Sequence, residues 1–519
     1  MKKITFIVFA ILFNMVLLAQ HSIEWQKNLG GTSYDVAYSI QQTTDGGYIT
    51  AGYTSSTDGD VSDNHGNADI WVVKLDDLGD VTWQKCLGGS DNDYTKFIQQ
   101  TTDDGYIIAG YTSSTDGDVS GNHGSQDIWI VKLKATGDID WQKCLGGSYY
   151  DAVKSIRQTT DGGYIVVGSS SSTDGDVSGN HGDVDAWVIK LDESGDITWQ
   201  KCLGGTDYDV ASSVQEIADG DYIIAGYTSS NDGDVSGNHG DNDVWIVKLT
   251  STGTIKWQEC LGGTGGDYTF SIQQTIDGGY VIAGSSSSID GDVSGNHGNV
   301  DIWVVKLDDS GNVTWQKCLG GTDSDYAYTI QQITDGGYII AGYTNSTDGD
   351  VSGNHGDVDA WIVRLDISGD IEWQKCLGGT NYDVISSIQE TAADEYIMTG
   401  YSSSTDGDVS ANNGATDVWV VKLSKNETID IQTISNNTPT VNIYPNPVNN
   451  TAFVNISAQE FMEVQITIVS ITGQVVSTQN VSLEAGQNIV NINTSSLEKG
   501  TYILKLTQNQ EVTIKHFVK

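Results

Sequence analysis

Between residues 34 and 87 the apolar positions fall into four short runs, at 36–43, 48–53, 70–75 and 81–87. Val, Ile, Tyr and Thr dominate them, and such side chains suit a pleated, half-buried surface. Gly or Asp-Gly separates the runs, as at Asp45-Gly46-Gly47, where a tight turn needs positive φ. No run is long enough, or spaced at the 3.6 period, for a helix. The pattern therefore predicts four strands in series, with a long polar loop (55–69) between the second and third. The third run, Ile70-Trp71-Val72-Val73-Lys74-Leu75, lacks the alternation of a strand with one wet face. Burial on both faces is expected there.

The unit recurs every 58 residues. Trp25, Trp83, Trp141, Trp199, Trp257, Trp315 and Trp373 keep that step, each followed by Gln. Trp71, Trp129, Trp187, Trp245, Trp303, Trp361 and Trp419 keep it too. The ends are out of phase. Residues 23–29 read as a lone fourth strand, and the last unit stops at a third strand, 418–423. Joined, they complete the set and leave no open edge at the seam. The expected fold is all-β: a seven-bladed β-propeller over residues 20–424, four strands per blade, the N-terminal strand closing the last blade. A linear β-solenoid is the rival, but it would want atypical capping repeats.

Composition shifts at residue 425. Asn, Thr and Ile to residue 440 suggest a linker, and alternating strands over 441–519 suggest a small β-sandwich. Four features stand out: Tyr444-Pro445-Asn446-Pro447, Thr472-Gly473-Gln474, Gly500-Thr501-Tyr502 and a basic close ending in Lys515 and Lys519. Together they resemble the C-terminal sorting domain of the type IX (Por) secretion system of Bacteroidetes. The resemblance implies a β-sandwich that directs cargo across the outer membrane, with the secretion machinery as partner. The repeats resemble the tandem propeller-type repeats of secreted bacterial proteins. At the other end, Lys2 and Lys3, an apolar stretch over 4–18 and Ala19 predict a signal peptide, 1–19. The expected location is outside a Gram-negative cell, released or on the outer-membrane surface. No later stretch has the ~20 apolar residues of a membrane helix.

Formal net charge is -44, almost all of it within the repeats. Such a surface repels nucleic acid and anionic membrane, and favours cations, cationic partners or neutral ligands. The loop Asp116-Gly117-Asp118-Val119-Ser120-Gly121-Asn122-His123-Gly124-Ser125-Gln126-Asp127 places oxygens at positions 1, 3, 5 and 12, and Gly at 6. That spacing resembles a calcium loop, because Ca²⁺ takes six to eight oxygen ligands and glycine permits the turn that converges them. The candidate ligands are Asp116, Asp118, Ser120 and Asp127, with Asp58, Asp60 and Asp69 in the first unit. The later units supply Asp174, Asp176 and Asp185; Asp232, Asp234 and Asp243; Asp290, Asp292 and Asp301; Asp348, Asp350 and Asp359; and Asp406, Asp408 and Asp417. Metal-free Asx turns are the alternative. Position 12 is Asp rather than a bidentate Glu, and Asp63 and Ala411 replace the glycine in units one and seven.

His65, His123, His181, His239, His297 and His355 sit in the same loops, with Asn413 in the seventh place. One imidazole per blade suits turn support better than a zinc site. Cys86, Cys144, Cys202, Cys260, Cys318 and Cys376 share one repeat position. Symmetry sets them too far apart to bridge, so buried free thiols are expected. Asp35 and its six equivalents could line a channel or accept backbone hydrogen bonds at the turn between blades. The tryptophans are expected in the core. No Gly-x-Ser-x-Gly, His-Glu-x-x-His or phosphate loop occurs.

The reading is a monomeric, secreted or cell-surface, non-catalytic binding or adhesion scaffold for an unidentified glycan or protein. The alternatives are a carbohydrate-active enzyme with its site in the channel and a structural surface component. Blade-specific residues would point to an enzyme, and the sequence presents very few.

Overall fold

The computed structural model describes residues 21–425, 440–444, 446–458, 461–470, 475–497, 499–508 and 511–519. The expected signal peptide (1–19), the interior of the linker (425–440), Pro445 and Thr472-Gly473-Gln474 lie outside the described residues. The chain divides into two units after Asn426. Every regular element described is a strand.

The first unit is a seven-bladed propeller. Blade 1 consists of Asp35–Gln42, Tyr48–Thr54, Asp69–Leu75 and Val81–Leu87, antiparallel and hydrogen-bonded in that order. These bounds fall within a residue of the runs read from the sequence. Blades 2 to 6 repeat the arrangement at the 58-residue step. The third strand is buried along its whole length, as its unbroken apolar pattern requires. Its lysine is buried too: Lys74 Nζ lies 2.9 Å from Asp45 in the turn between the first two strands, and it donates to Leu75 O at 3.1 Å.

Blade 7 is built from both ends of the repeat region. Asp383–Ala392, Glu395–Ser402 and Asp417–Lys425 supply three strands, and His21–Leu29 pairs antiparallel with the last of them. Leu29 faces Val418 and Ser22 faces Ser424, with a bulge between Ile23 and Trp25. Trp419 Nε1 donates to Gln26 Oε1 at 2.8 Å. Trp71 and Gln84 make the same bond inside blade 1, at 2.7 Å. The borrowed strand thus reproduces a covalently continuous blade. The first strand of blade 1 packs against blade 2 on one side and blade 7 on the other, which closes the ring.

The core is seven apolar layers, one at each junction between blades, among the described residues. At the seam, Ala37, Tyr48, Trp71 and Val73 of blade 1 meet Leu29, Ile397, Val418 and Val420 of blade 7. The Trp71 ladder lies in these layers, as expected. The Trp25 ladder differs: its rings are half-buried and reach across to the next blade. The Trp83 ring stands 5.9 Å from that of Tyr106, and a β-carbon on Gly137 would meet it at 3.0 Å. Gly137 has φ of 81°, so its missing side chain serves both the turn and the tryptophan. All six cysteines are buried free thiols, and burial pushes each up to about 12. They are inert packing groups at neutral pH.

The second unit is a two-sheet sandwich. One sheet has the order 440–444, 451–458, 486–493, and the other 475–483, 462–470, 501–508, 511–518. Val454, Ile456, Val464, Ile466, Leu504 and Phe517 share its core.

Removal of residues 21–29 strips eight paired positions from the edge of 417–425 and the acceptor from Trp419. At about 1 kcal/mol net per hydrogen bond, that loss rivals the ~5–15 kcal/mol that hold a whole domain. The truncated chain is expected to aggregate or to melt well below the intact protein in a circular-dichroism scan. Coincident melting curves would show the seam to be dispensable.

Candidate functional site

The acidic loops come first, because the sequence singled them out. Asp58 Oδ1 accepts from Thr32 N at 2.8 Å, and Asp60 Oδ2 accepts from Gly30 N at 3.2 Å, so both hold the turn that enters blade 1 from blade 7. Asp69 is fully buried. Its Oδ2 accepts from His65 N at 2.8 Å and stands 2.6 Å from His65 Nδ1. Asp116, Asp118 and Asp127 repeat these contacts with Ser90, Gly88 and His123. In blade 2, Ser120 Oγ accepts from Gln142 Nε2. Positions 1, 3 and 12 therefore serve separate donors. Among the described residues no three His, Cys, Asp or Glu gather as a metal ligand set would. One atom is left over in each loop: the buried Oδ1 of Asp69, Asp127, Asp185, Asp243, Asp301, Asp359 and Asp417 has no hydrogen-bond donor.

The aspartate before each first strand supports the turn rather than lining a channel. Asp35 Oδ2 accepts from Gly31 N at 2.8 Å and from Ser56 Oγ at 2.7 Å. A β-carbon on Gly30 would touch both Asp35 and Asp417, so two buried carboxylates approach each other at the junction. Burial raises the position-12 aspartates above the usual carboxylate range, and the histidine of the loop opposes that rise. Asp417 has Asn413 in place of histidine. Burial, with Asp35 and Asp60 nearby, pushes it up to about 6.

A second place breaks the symmetry. Each first strand carries a bulge at its centre, between Ala37 and Ser39 in blade 1. A bulge inserts one unpaired residue and re-aims it. The inserted residues are Tyr38, Lys96, Lys154, Ser212, Phe270, Tyr328 and Ser386. All seven line one cavity of about 830 Å³, enclosed by the seven innermost strands. Glycine is obligatory across from the bulge: a β-carbon on Gly52 would fall 1.8 Å from Val36 O. The backbone is thus repeated without exception, while its central side chain is tyrosine, lysine, serine or phenylalanine.

The cavity collects charge of the rarer sign. Lys96 Nζ sits 3.4 Å above the Tyr38 ring, and Arg157 Cζ sits 4.2 Å above that of Phe97. Lys154 projects into the same space. Glu216 is the one carboxylate among the lining residues. Its oxygens are engaged by Thr160 N at 2.7 Å and Thr160 Oγ1 at 2.9 Å. Desolvation, with Lys154 beside it, lowers Lys96 to about 7, and desolvation lowers Arg157 to about 10. Aromatic rings supply the other wall. Phe270 and Tyr328 lie 5.8 Å apart.

A ring of glutamines stitches the inner strands together. Gln41 Oε1 accepts from Gln100 N at 2.7 Å, and Gln99, Gln215, Gln273, Gln331 and Gln389 make the same bond to the following blade. Arg157 holds the equivalent place in blade 3. Arginine has no acceptor to offer, so that junction forgoes a bond worth about 1 kcal/mol.

Sequence reasoning missed this cavity. The signal was present in the repeat as a variable column, 38 and every 58th residue after it, that mixes lysine, serine and aromatic residues in the first strand. What the sequence did not show was that the bulge turns that column toward the axis.

In the second unit, Asn446 Oδ1 accepts from Val518 N at 2.9 Å, and Lys519 N donates to Gly500 O at 2.9 Å. Three of the motifs noted in the sequence are therefore in contact. Residues 442–519 match the family model of the secretion system C-terminal sorting domain. The chain carries a type IX secretion sorting domain, which makes it secreted or cell-surface cargo of that machinery. Among the described residues no helix is long and apolar enough to cross a membrane. The regulatory protein FlaEY of Caulobacter vibrioides is 24% identical over 143 residues, 25% of this chain and 15% of that protein. Puromycin hydrolase aligns over 83% of this chain and 62% of its own, at 9% identity and a TM-score of 0.42. The PQQ-bound aldose sugar dehydrogenase of Streptomyces coelicolor aligns over 78% and 99%, at 11% identity and a TM-score of 0.35. Likenesses this faint carry no activity across to the chain.

Asp417 gives a pH prediction. Its folded pKa lies above the unfolded value of 3.8, so the folded chain holds a proton that the unfolded chain has lost. Stability therefore falls as pH rises from about 4 through about 6. Asn413→His supplies the missing imidazole. It is expected to raise stability by about 1 kcal/mol at pH 7 and to change nothing at pH 4. An equal gain at both pH values in denaturant titrations would refute the cause given.

Proposed function

We propose that the propeller is a non-catalytic binding scaffold, exported through its sorting domain, whose ligand seat is the axial cavity. One observation carries the reading. Seven bulges of one backbone geometry aim Tyr, Lys, Lys, Ser, Phe, Tyr and Ser into a single cavity. Packing gives no reason for that difference, since serine, lysine and aromatic side chains all occupy the same backbone. Pockets with a few distinct polar groups among aromatic ones are where ligands bind. The lysines and arginine of the cavity, with Glu216 held by Thr160, supply contacts rather than an acid–base pair.

The test is a binding screen of the full mature chain on a glycan array, with Phe270→Ser and Tyr328→Ser beside it. Serine already stands at this position in blades 4 and 7, so the fold accommodates it. Each variant is expected to weaken the selected ligand about ten-fold or more, roughly 1.4 kcal/mol, and the ligand to be recovered chemically unchanged. Equal binding by the variants would move the seat elsewhere. Turnover of the ligand would favour the enzyme.

Calcium stabilisation is a second reading, favoured by the seven buried Oδ1 atoms that have no donor. A cation at the junction would neutralise the carboxylate pair that closes on Gly30 and its equivalents. Treatment with EDTA is then expected to lower the melting temperature, and added Ca²⁺ to restore it. Identical melts with chelator and with metal would leave those oxygens to protons instead.

A further inference from the structure

We infer that the axial cavity recognises an acidic saccharide: a ring-bodied ligand carrying a carboxylate or sulfate. This rests on the cavity being the ligand seat, and adds the chemistry of what enters it.

The protein has net charge -44, yet three cations, Lys96, Lys154 and Arg157, meet in one cavity on adjacent blades. Among the described residues no carboxylate pairs with them: Glu216 is taken by Thr160, and Lys96 and Arg157 rest on aromatic faces instead. Desolvated cations without a counter-ion are unfavourable, and their lowered pKa values register that. An anion entering from solvent supplies what the protein omits.

Arg157 takes the place of a glutamine found in the other six blades and gives up a bond between blades. A guanidinium presents a planar fork that suits carboxylate and sulfate oxygens. Lys96 and Lys154 stand where two other blades have serine. None of the three substitutions is required by the blade, because the neighbouring blades fold without them.

Phe270 and Tyr328 face the cavity from blades 5 and 6, away from the cations of blades 2 and 3. The six glutamines of the ring spend Oε1 on the backbone, and their Nε2 groups make no hydrogen bond among the described residues. Flat rings, spare amide donors and a cationic corner suit a hydroxyl-rich ring bearing an oxyanion. The volume, about 830 Å³, admits more than one such ring.

The variant Lys96→Ser/Lys154→Ser/Arg157→Gln restores residues already used at these positions in other blades, so an intact melting curve is expected as its control. Calorimetric titration of the full chain would compare a galacturonate oligosaccharide, a sulfated chondroitin oligosaccharide, neutral cellohexaose and an oligoglutamate peptide. At least one acidic saccharide is expected to bind about ten-fold or more tightly than cellohexaose, more weakly at high salt, and with that margin lost in the triple variant. The uronate and sulfate arms separate the two oxyanions. Equal binding by cellohexaose, undiminished binding by the triple variant, or a match by the oligoglutamate would each overturn the inference. If cellohexaose binds and only Phe270→Ser weakens it, the cavity remains the seat and the anion falls. If no probe binds wild type, the inference and the seat fall together.

Discussion

Everything in the first unit depends on one antiparallel pairing, that of His21–Leu29 with Asp417–Lys425. A four-stranded sheet cannot bury both faces alone. It needs a neighbour on each side, and seven sheets supply one another only if the ring shuts. The pairing shuts it with strands about 390 residues apart in sequence, and Gln26 meets Trp419 as Gln84 meets Trp71. Once the ring is closed, each junction buries one apolar layer, the third strands lose contact with water, and the first strands converge on a common axis.

Convergence has consequences that a single blade does not have. Side chains that are equivalent in sequence become neighbours around the axis, so a column of the first strand turns into a seven-membered ring. The glutamine column forms a belt of hydrogen bonds between blades, broken only at Arg157. The bulge column forms the wall of a cavity. The bulge needs a residue without a side chain opposite it, and Gly52 and its equivalents provide that. A rigid, repeated backbone therefore presents seven side chains that are free to differ, and lysine, serine and aromatic residues all occur there.

The acidic loops use their carboxylates differently from the expectation raised by their spacing. Asp58, Asp60 and Asp69 are close in sequence but face separate donors, because the loop is stretched across a junction and ties the double glycine of the preceding turn to its own blade. The histidine serves the same turn. Where it is missing, at Asn413, nothing from an imidazole opposes the rise of the neighbouring carboxylate. The loops are thus structural clasps first, and the large negative charge is partly a by-product of repeating one clasp seven times.

Strand boundaries, blade number, the borrowed strand, the free thiols and the sorting motif were all legible in the chain itself. Each rests on local periodicity, on the exact recurrence of the tryptophans or on a short run of specific residues, and local patterns need no partner to be read. The half-buried outer tryptophans, the separation of the loop carboxylates and the cationic cavity were not legible. They depend on which way a side chain points once blades are stacked, and a one-residue bulge reverses that direction without altering the repeat. Sequence determined what recurs; only tertiary structure decided which of the residues that do not recur would stand face to face.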